Sequence, residues 1–151
     1  VPARASVDRN GIWQILVNLL DNAVKYGPVG QTVTVSLRTA GTIARITVDD
    51  QGPGIPPRHR QRIFEEFQRL DDAEASGIAG SGIGLAVVRQ IARAHGGQAY
   101  VTTAPGGGAR FVVEIPGVEP AGAEGPGGRP GAVAPAAPAG TPAPAPEEQP
   151  R

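Results

Sequence analysis

After Pro116 the chain loses the means to fold. Between Gly117 and Arg151, 25 of 35 residues are Pro, Ala or Gly, aromatics are absent and no hydrophobic period runs through the segment. Such a stretch cannot bury enough apolar surface to offset its ordering entropy, so residues 117–151 read as a disordered tail. The folded unit is thereby confined to residues 1–116, room for one modest core and not two.

Inside that unit the hydrophobic period changes from segment to segment. Ile12, Ile15, Leu16, Leu19, Leu20 and Ala23 recur at helical spacing, which predicts a helix from about Asp8, its N-cap, to Tyr26. Val33, Val35 and Leu37 alternate with Thr34, Ser36 and Arg38. After Ala40-Gly41, Ala44, Ile46 and Val48 alternate with Ile43, Arg45 and Thr47. The two runs predict a hairpin. A short helix is expected over about Arg58 to Phe67, a glycine-rich stretch after it, and a helix from about Gly84 to His95. Two strands, Gln98 to Thr103 and Ala109 to Ile115, flank a Gly106-Gly107-Gly108 turn. Helices on one face of a mixed, mainly antiparallel sheet make an α+β two-layer sandwich.

Composition removes several classes of chemistry. There are no cysteines, hence no disulfide, thiolate zinc site or cysteine nucleophile. Twelve basic residues stand against ten acidic ones up to Pro116, too even a balance for binding nucleic acid through its phosphates. The apolar runs fall far short of the ~20 residues of a membrane-spanning helix, and the first residues lack a signal-peptide pattern, so no direct membrane contact is expected. Thirteen of the fourteen basic residues are arginine, which makes Lys25, the single lysine, conspicuous.

Three short segments carry candidate chemistry. Asn18, Asn22 and Lys25 fall within an arc of roughly 60° on the first helix. Carboxamide oxygens suit Mg²⁺, and an ammonium neutralises phosphate, although the same trio also fits a plain solvated helix side. Asp50-Gln51-Gly52-Pro53-Gly54-Ile55 follows a strand; its glycines admit a planar ligand and its aspartate can accept from an exocyclic amine, but the pattern is also an ordinary turn. Gly80-Ser81-Gly82-Ile83-Gly84-Leu85 opens the last helix, where free backbone N–H groups attract phosphate, while any flexible loop can hold such a run. It does not fit the dinucleotide fingerprint, because no strand precedes it. Between the last two lies Ile63-Phe64-Glu65-Glu66-Phe67, whose phenylalanines suit core packing or the anchoring of a lid.

Taken in order, these segments resemble the histidine-kinase branch of the gyrase, chaperone, histidine-kinase and mismatch-repair ATPase superfamily, whose domain has the Bergerat fold. Asn18 to Tyr26 resembles its N box, Asp50 to Ile55 its G1 box, Phe64 to Phe67 its F box and Gly80 to Leu85 its G2 box, with Ala94-His95-Gly96-Gly97 also typical. The resemblance covers about Asp8 to Pro116. It implies that Asn22 holds Mg²⁺ with help from Asn18, that Lys25 contacts phosphate, that Tyr26 lies along the nucleotide and that Asp50 reads the adenine amine. Gly52, Gly54, Ile55, Phe64 and Phe67 would border ATP. Gly80, Ser81, Gly82, Ile83, Gly84 and Leu85 would belong to the lid over the triphosphate, and Arg69 would meet the γ-phosphate. Glu66 departs from the arginine usual between the two phenylalanines. The family's first strand is barely represented by Val1 to Val7, which reads as a start inside the domain.

The reaction the resemblance implies is phosphoryl transfer from Mg-ATP to a histidine on a separate helical dimerisation domain, with a response regulator downstream and a cytoplasmic location. No acceptor motif is present. His59 and His95 read as structural, the latter as an imidazolium favoured at a helix C-terminus and followed by a capping glycine. The alternatives are an anti-sigma-factor-type serine kinase and a degenerate nucleotide-binding module. A gyrase-like clamp fits less well, because it has a glutamate base where Asn18 stands.

Overall fold

The computed structural model describes residues 3–66 and 82–120. Strand β1 (Ala3–Ala5) leads to helix α1 (Arg9–Tyr26), then to the hairpin of β2 (Thr34–Ala40) and β3 (Ile43–Asp49). Helix α2 (Gly84–Ala94) precedes strands β4 (Gln98–Thr103), β5 (Ala109–Pro116) and β6 (Val118–Pro120). The main sheet has the order β2-β3-β5-β4 and is antiparallel throughout, so the expected mixed pairing is absent from the described strands.

The expected N-cap is in place: the Asp8 carboxylate accepts from the backbone N–H groups of Asn10 and Gly11, satisfying donors that a helix start leaves free. Ile15, Leu19 and Ala23 of α1, with Val88 and Ala92 of α2, are fully buried against one face of the sheet. That face is formed by Ile46, Val48, Val101, Phe111, Val113 and Ile115, every second residue of three strands. The opposite face carries charge in register: Arg45 pairs with Glu114 and Arg110 with Asp49 across β3 and β5. As the edge strand, β2 leaves Leu37 69% exposed despite its alternating pattern.

Three sequence expectations change. The helix expected over Arg58 to Phe67 is instead two 3₁₀ turns, Pro57–His59 and Arg62–Phe64, as far as the described residues go. Arg60 donates to the Ile55 carbonyl and to Thr103 Oγ1, while consecutive Ile63 and Phe64 both enter the core, and tertiary contacts of that kind override a short helical pattern. The fold also continues past Pro116. Val118 is buried, its N–H donates to the Thr42 carbonyl, and β6 pairs with β1, which supplies the strand before α1 that seemed scarcely present in the sequence. Finally, His95 is no charged cap. Its Nε2 accepts from the Asp8 N–H at 3.0 Å and its Nδ1 sits 2.8 Å from the Ile91 carbonyl, an arrangement that requires the neutral ring with its proton on Nδ1. The imidazole thus ties the end of α2 to the start of α1.

Candidate functional site

Between α1, the end of β3 and the start of α2 lies a cavity of about 330 Å³, within the range of small-ligand sites. Its α1 wall presents Asn18, Asn22, Lys25 and Tyr26; the opposite side holds Asp50, Gly54 and Ile55; Gly82, Ile83, Gly84 and Leu85 close the end. These predicted residues, distant in sequence, meet in one place.

Asp50 is 6% exposed, a buried carboxylate. Its Oδ1 accepts from the N–H groups of Gly52 and Ala109, each at 2.9 Å. No protein donor among the described residues engages Oδ2, leaving an acceptor for a ligand. Gly52 therefore orients Asp50 and does not itself line the cavity. Gly54 adopts φ +74°, the left-handed region that favours glycine, and a Cβ there would lie 3.0 Å from the Gly107 carbonyl oxygen.

At the far end, Gly84 begins α2 beside α1: a Cβ on it would stand 3.4 Å from Asn18 Oδ1. Gly82, at φ +69°, lies in the turn that opens into α2, and with Ile83 and Gly84 it lines the cavity. Asn18 Nδ2 is buried without a hydrogen-bond partner among the described residues, a costly state unless a ligand completes it. Lys25 Nζ lies 2.6 Å from the carboxylate of Asp21, one turn back on the same helix.

Phe64 does not reach the cavity. It packs in the core at 5% exposure, and its neighbour Ile63 lines the cavity instead. Phe67, Arg69, Gly80 and Ser81 lie outside the described residues. Sequence reasoning overlooked Gln14, Asp21, Pro53, Ile63, Val87, Ala109 and Phe111, all of which line the cavity. At 100° per residue Gln14 and Asp21 lie roughly 20° and 40° beyond one edge of the helix arc already singled out, near enough to be detectable from spacing. Ala109 and Phe111 arrive from β5, which pairs with β3 in a register no local pattern announces. Gln31 was also unforeseen. Its Nε2 donates to the Ala23 carbonyl and its Oε1 accepts from the Gln51 N–H, joining the end of α1 to the loop that carries Asp50.

A two-layer sandwich with this cavity between its helices and one sheet end is the Bergerat-type ATP-binding architecture. Residues 7–119 match the family described as Histidine kinase-, DNA gyrase B-, and HSP90-like ATPase, and the chain belongs to it. It is 44% identical over 110 residues to the adaptive-response sensory kinase SasA of Trichormus variabilis, covering 72% of this chain and 27% of that protein. It is 45% identical over 115 residues to the signal transduction histidine-protein kinase/phosphatase MprB of Mycolicibacterium smegmatis, covering 73% of this chain and 23% of that one. Among solved structures, the mycobacterial sensor histidine kinase MprB superimposes with a TM-score of 0.67 at 36% identity, over 77% of this chain and 76% of the other. Full-length ShkA in complex with AMPPNP does so with 0.60 at 39% identity, over 73% and 22%. The chain spans about a quarter of the curated relatives it matches. Among the described residues no helix is long and apolar enough to cross a membrane.

Proposed function

We propose that this chain is the ATP-binding catalytic domain of a two-component sensor histidine kinase, which holds Mg-ATP and presents the γ-phosphoryl group to a histidine on a separate helical dimerisation domain. The observation that carries this reading is the convergence of Asn18, Asn22 and Lys25 with the free oxygen of Asp50 and the opening turn of α2 around one cavity. Asp50 Oδ2 accepts from the adenine amine, Tyr26 lies along the nucleotide, and the N–H groups at the start of α2 receive phosphate oxygens.

The donor set fits a magnesium ion. No cluster of three acidic, histidine or cysteine ligands exists among the described residues, so a cation here would depend on the amide oxygens of Asn22 and Asn18 and on phosphate, as suits an ion that keeps several waters. Bound there, it would neutralise charge on the transferring phosphoryl group. Lys25 adds a positive charge, and Arg69 keeps the γ-phosphate role implied by the family resemblance. The acceptor histidine supplies the nucleophile, so catalysis by this chain is positioning and charge stabilisation. A cytoplasmic place, where ATP is available, and a response regulator taking the phosphoryl group onward complete the reading.

Incubation with radiolabelled ATP, Mg²⁺ and a separately supplied dimerisation domain tests it. Acid-labile label should appear on that domain, vanish with a histidine-to-alanine acceptor and rise with acceptor concentration, because the two proteins lack the effective concentration that linkage provides. Acid-stable label on serine would favour an anti-sigma-type kinase, and label on His59 or His95 would overturn the donor role.

A further inference from the structure

Asp21 is a carboxylate inside a cavity meant, on the reading above, for a polyphosphate. It stands on α1 between Asn18 and Asn22, lines the same cavity, and its Oδ2 holds Lys25 Nζ at 2.6 Å. Among the described lining residues the charged groups are Asp21, Asp50 and Lys25, so the wall carries one more negative than positive charge. Its single described cation is already matched by Asp21. A metal-free nucleotide brings its full phosphate charge against this wall and must take Lys25 from Asp21. A nucleotide with a divalent cation, held by Asn22, Asn18 and phosphate, brings positive charge into the cavity that balances Asp21 in place of Lys25, which frees the ammonium for phosphate.

We propose that Asp21 is a selectivity residue that makes nucleotide binding conditional on a divalent cation, by holding Lys25 until the cation takes its place. The inference rests on the nucleotide reading of the cavity. Asp21 is 56% exposed at its side chain, so Asp21→Asn removes the charge with little effect on the fold.

Calorimetric titration of ADP, in excess Mg²⁺ and separately in chelator, provides the test without relying on activity. In Asp21→Asn the metal-free affinity should rise by about five- to tenfold, the scale of one close charge interaction at a partly exposed site, and the enhancement by Mg²⁺ should shrink by the same factor. Asp21→Glu, which keeps the charge, should retain the parent's enhancement. If Asp21→Asn tightened binding equally with and without Mg²⁺, Asp21 would act only by occupying Lys25, and the inference would be overturned. An unchanged enhancement would overturn it as well. Failure of the unaltered chain to bind ADP under either condition would strike at the nucleotide reading itself and remove the basis for this inference.

Discussion

Asp50 uses its two oxygens differently. Oδ1 is committed to the N–H groups of Gly52 and Ala109, which fixes the carboxylate, and Oδ2 is left to recognise a ligand. Asp50→Asn separates these functions, since an amide oxygen can keep both backbone bonds while the amide nitrogen turns the ligand-facing acceptor into a donor. ATP affinity should weaken by about 1 to 3 kcal/mol, because two donors would then face each other, and the melting temperature should move little. Preference for ATP over GTP should narrow too, since guanine presents an acceptor at that edge. Equal ATP affinity in calorimetry would contradict the assignment. That an aspartate just past a strand would stand in the cavity was legible in the sequence; that a β5 backbone donor holds it was not, because pairing across 59 residues leaves no local signature. Asn18, Asn22 and Lys25 were legible for the opposite reason, a helix repeating its faces within a few residues.

At the scale of elements, the hairpin, both helices and strands β4 and β5 followed from period and capping, whereas the segment around Phe64 did not, because its shape is set by the Arg60 bonds to Ile55 and Thr103. The register of β5 between β3 and β4 is marked by Glu114, which accepts from Gln98, Arg45 and Tyr100. The Gln98 bond, followed by those from Arg45 and Tyr100, holds the Glu114 carboxyl below its ordinary value of 4.5 against the opposing effect of burial. A carboxyl whose folded value is lowered stabilises the fold fully above its unfolded value and loses that contribution as pH falls through the lowered one. Melting temperature should therefore decline as pH drops below about 4.5. In Glu114→Gln the stability near neutrality should be lower and this acid-dependent decline shallower. A decline as steep as the parent's would show that Glu114 does not contribute to it.

For the molecule as a whole, the boundary of the fold was the point where composition misled. A Pro, Ala and Gly bias begins at Gly117, yet Val118 is 3% exposed and β6 pairs with β1. A chain ending at Pro116 should lose about 1 to 3 kcal/mol, the scale of burying one valine, and melt roughly 5 °C or more lower. A chain ending at Pro120 should melt with the parent, since the composition beyond it offers little to pack. Equal melting of the two would mean that β1 and β6 contribute nothing. On the proposed function, one cavity, bounded by α1, the end of β3 and the start of α2, binds the nucleotide. Amide NMR of the isotopically labelled chain titrated with Mg-AMPPNP tests this most directly. The signals of Asn18, Asn22, Asp50, Gly54, Gly82 and Gly84 should shift, while those of Arg45, Gln98 and Glu114 on the opposite sheet face should stay in place; shifts confined to that opposite face, or none at all, would mean that the nucleotide does not bind in this cavity.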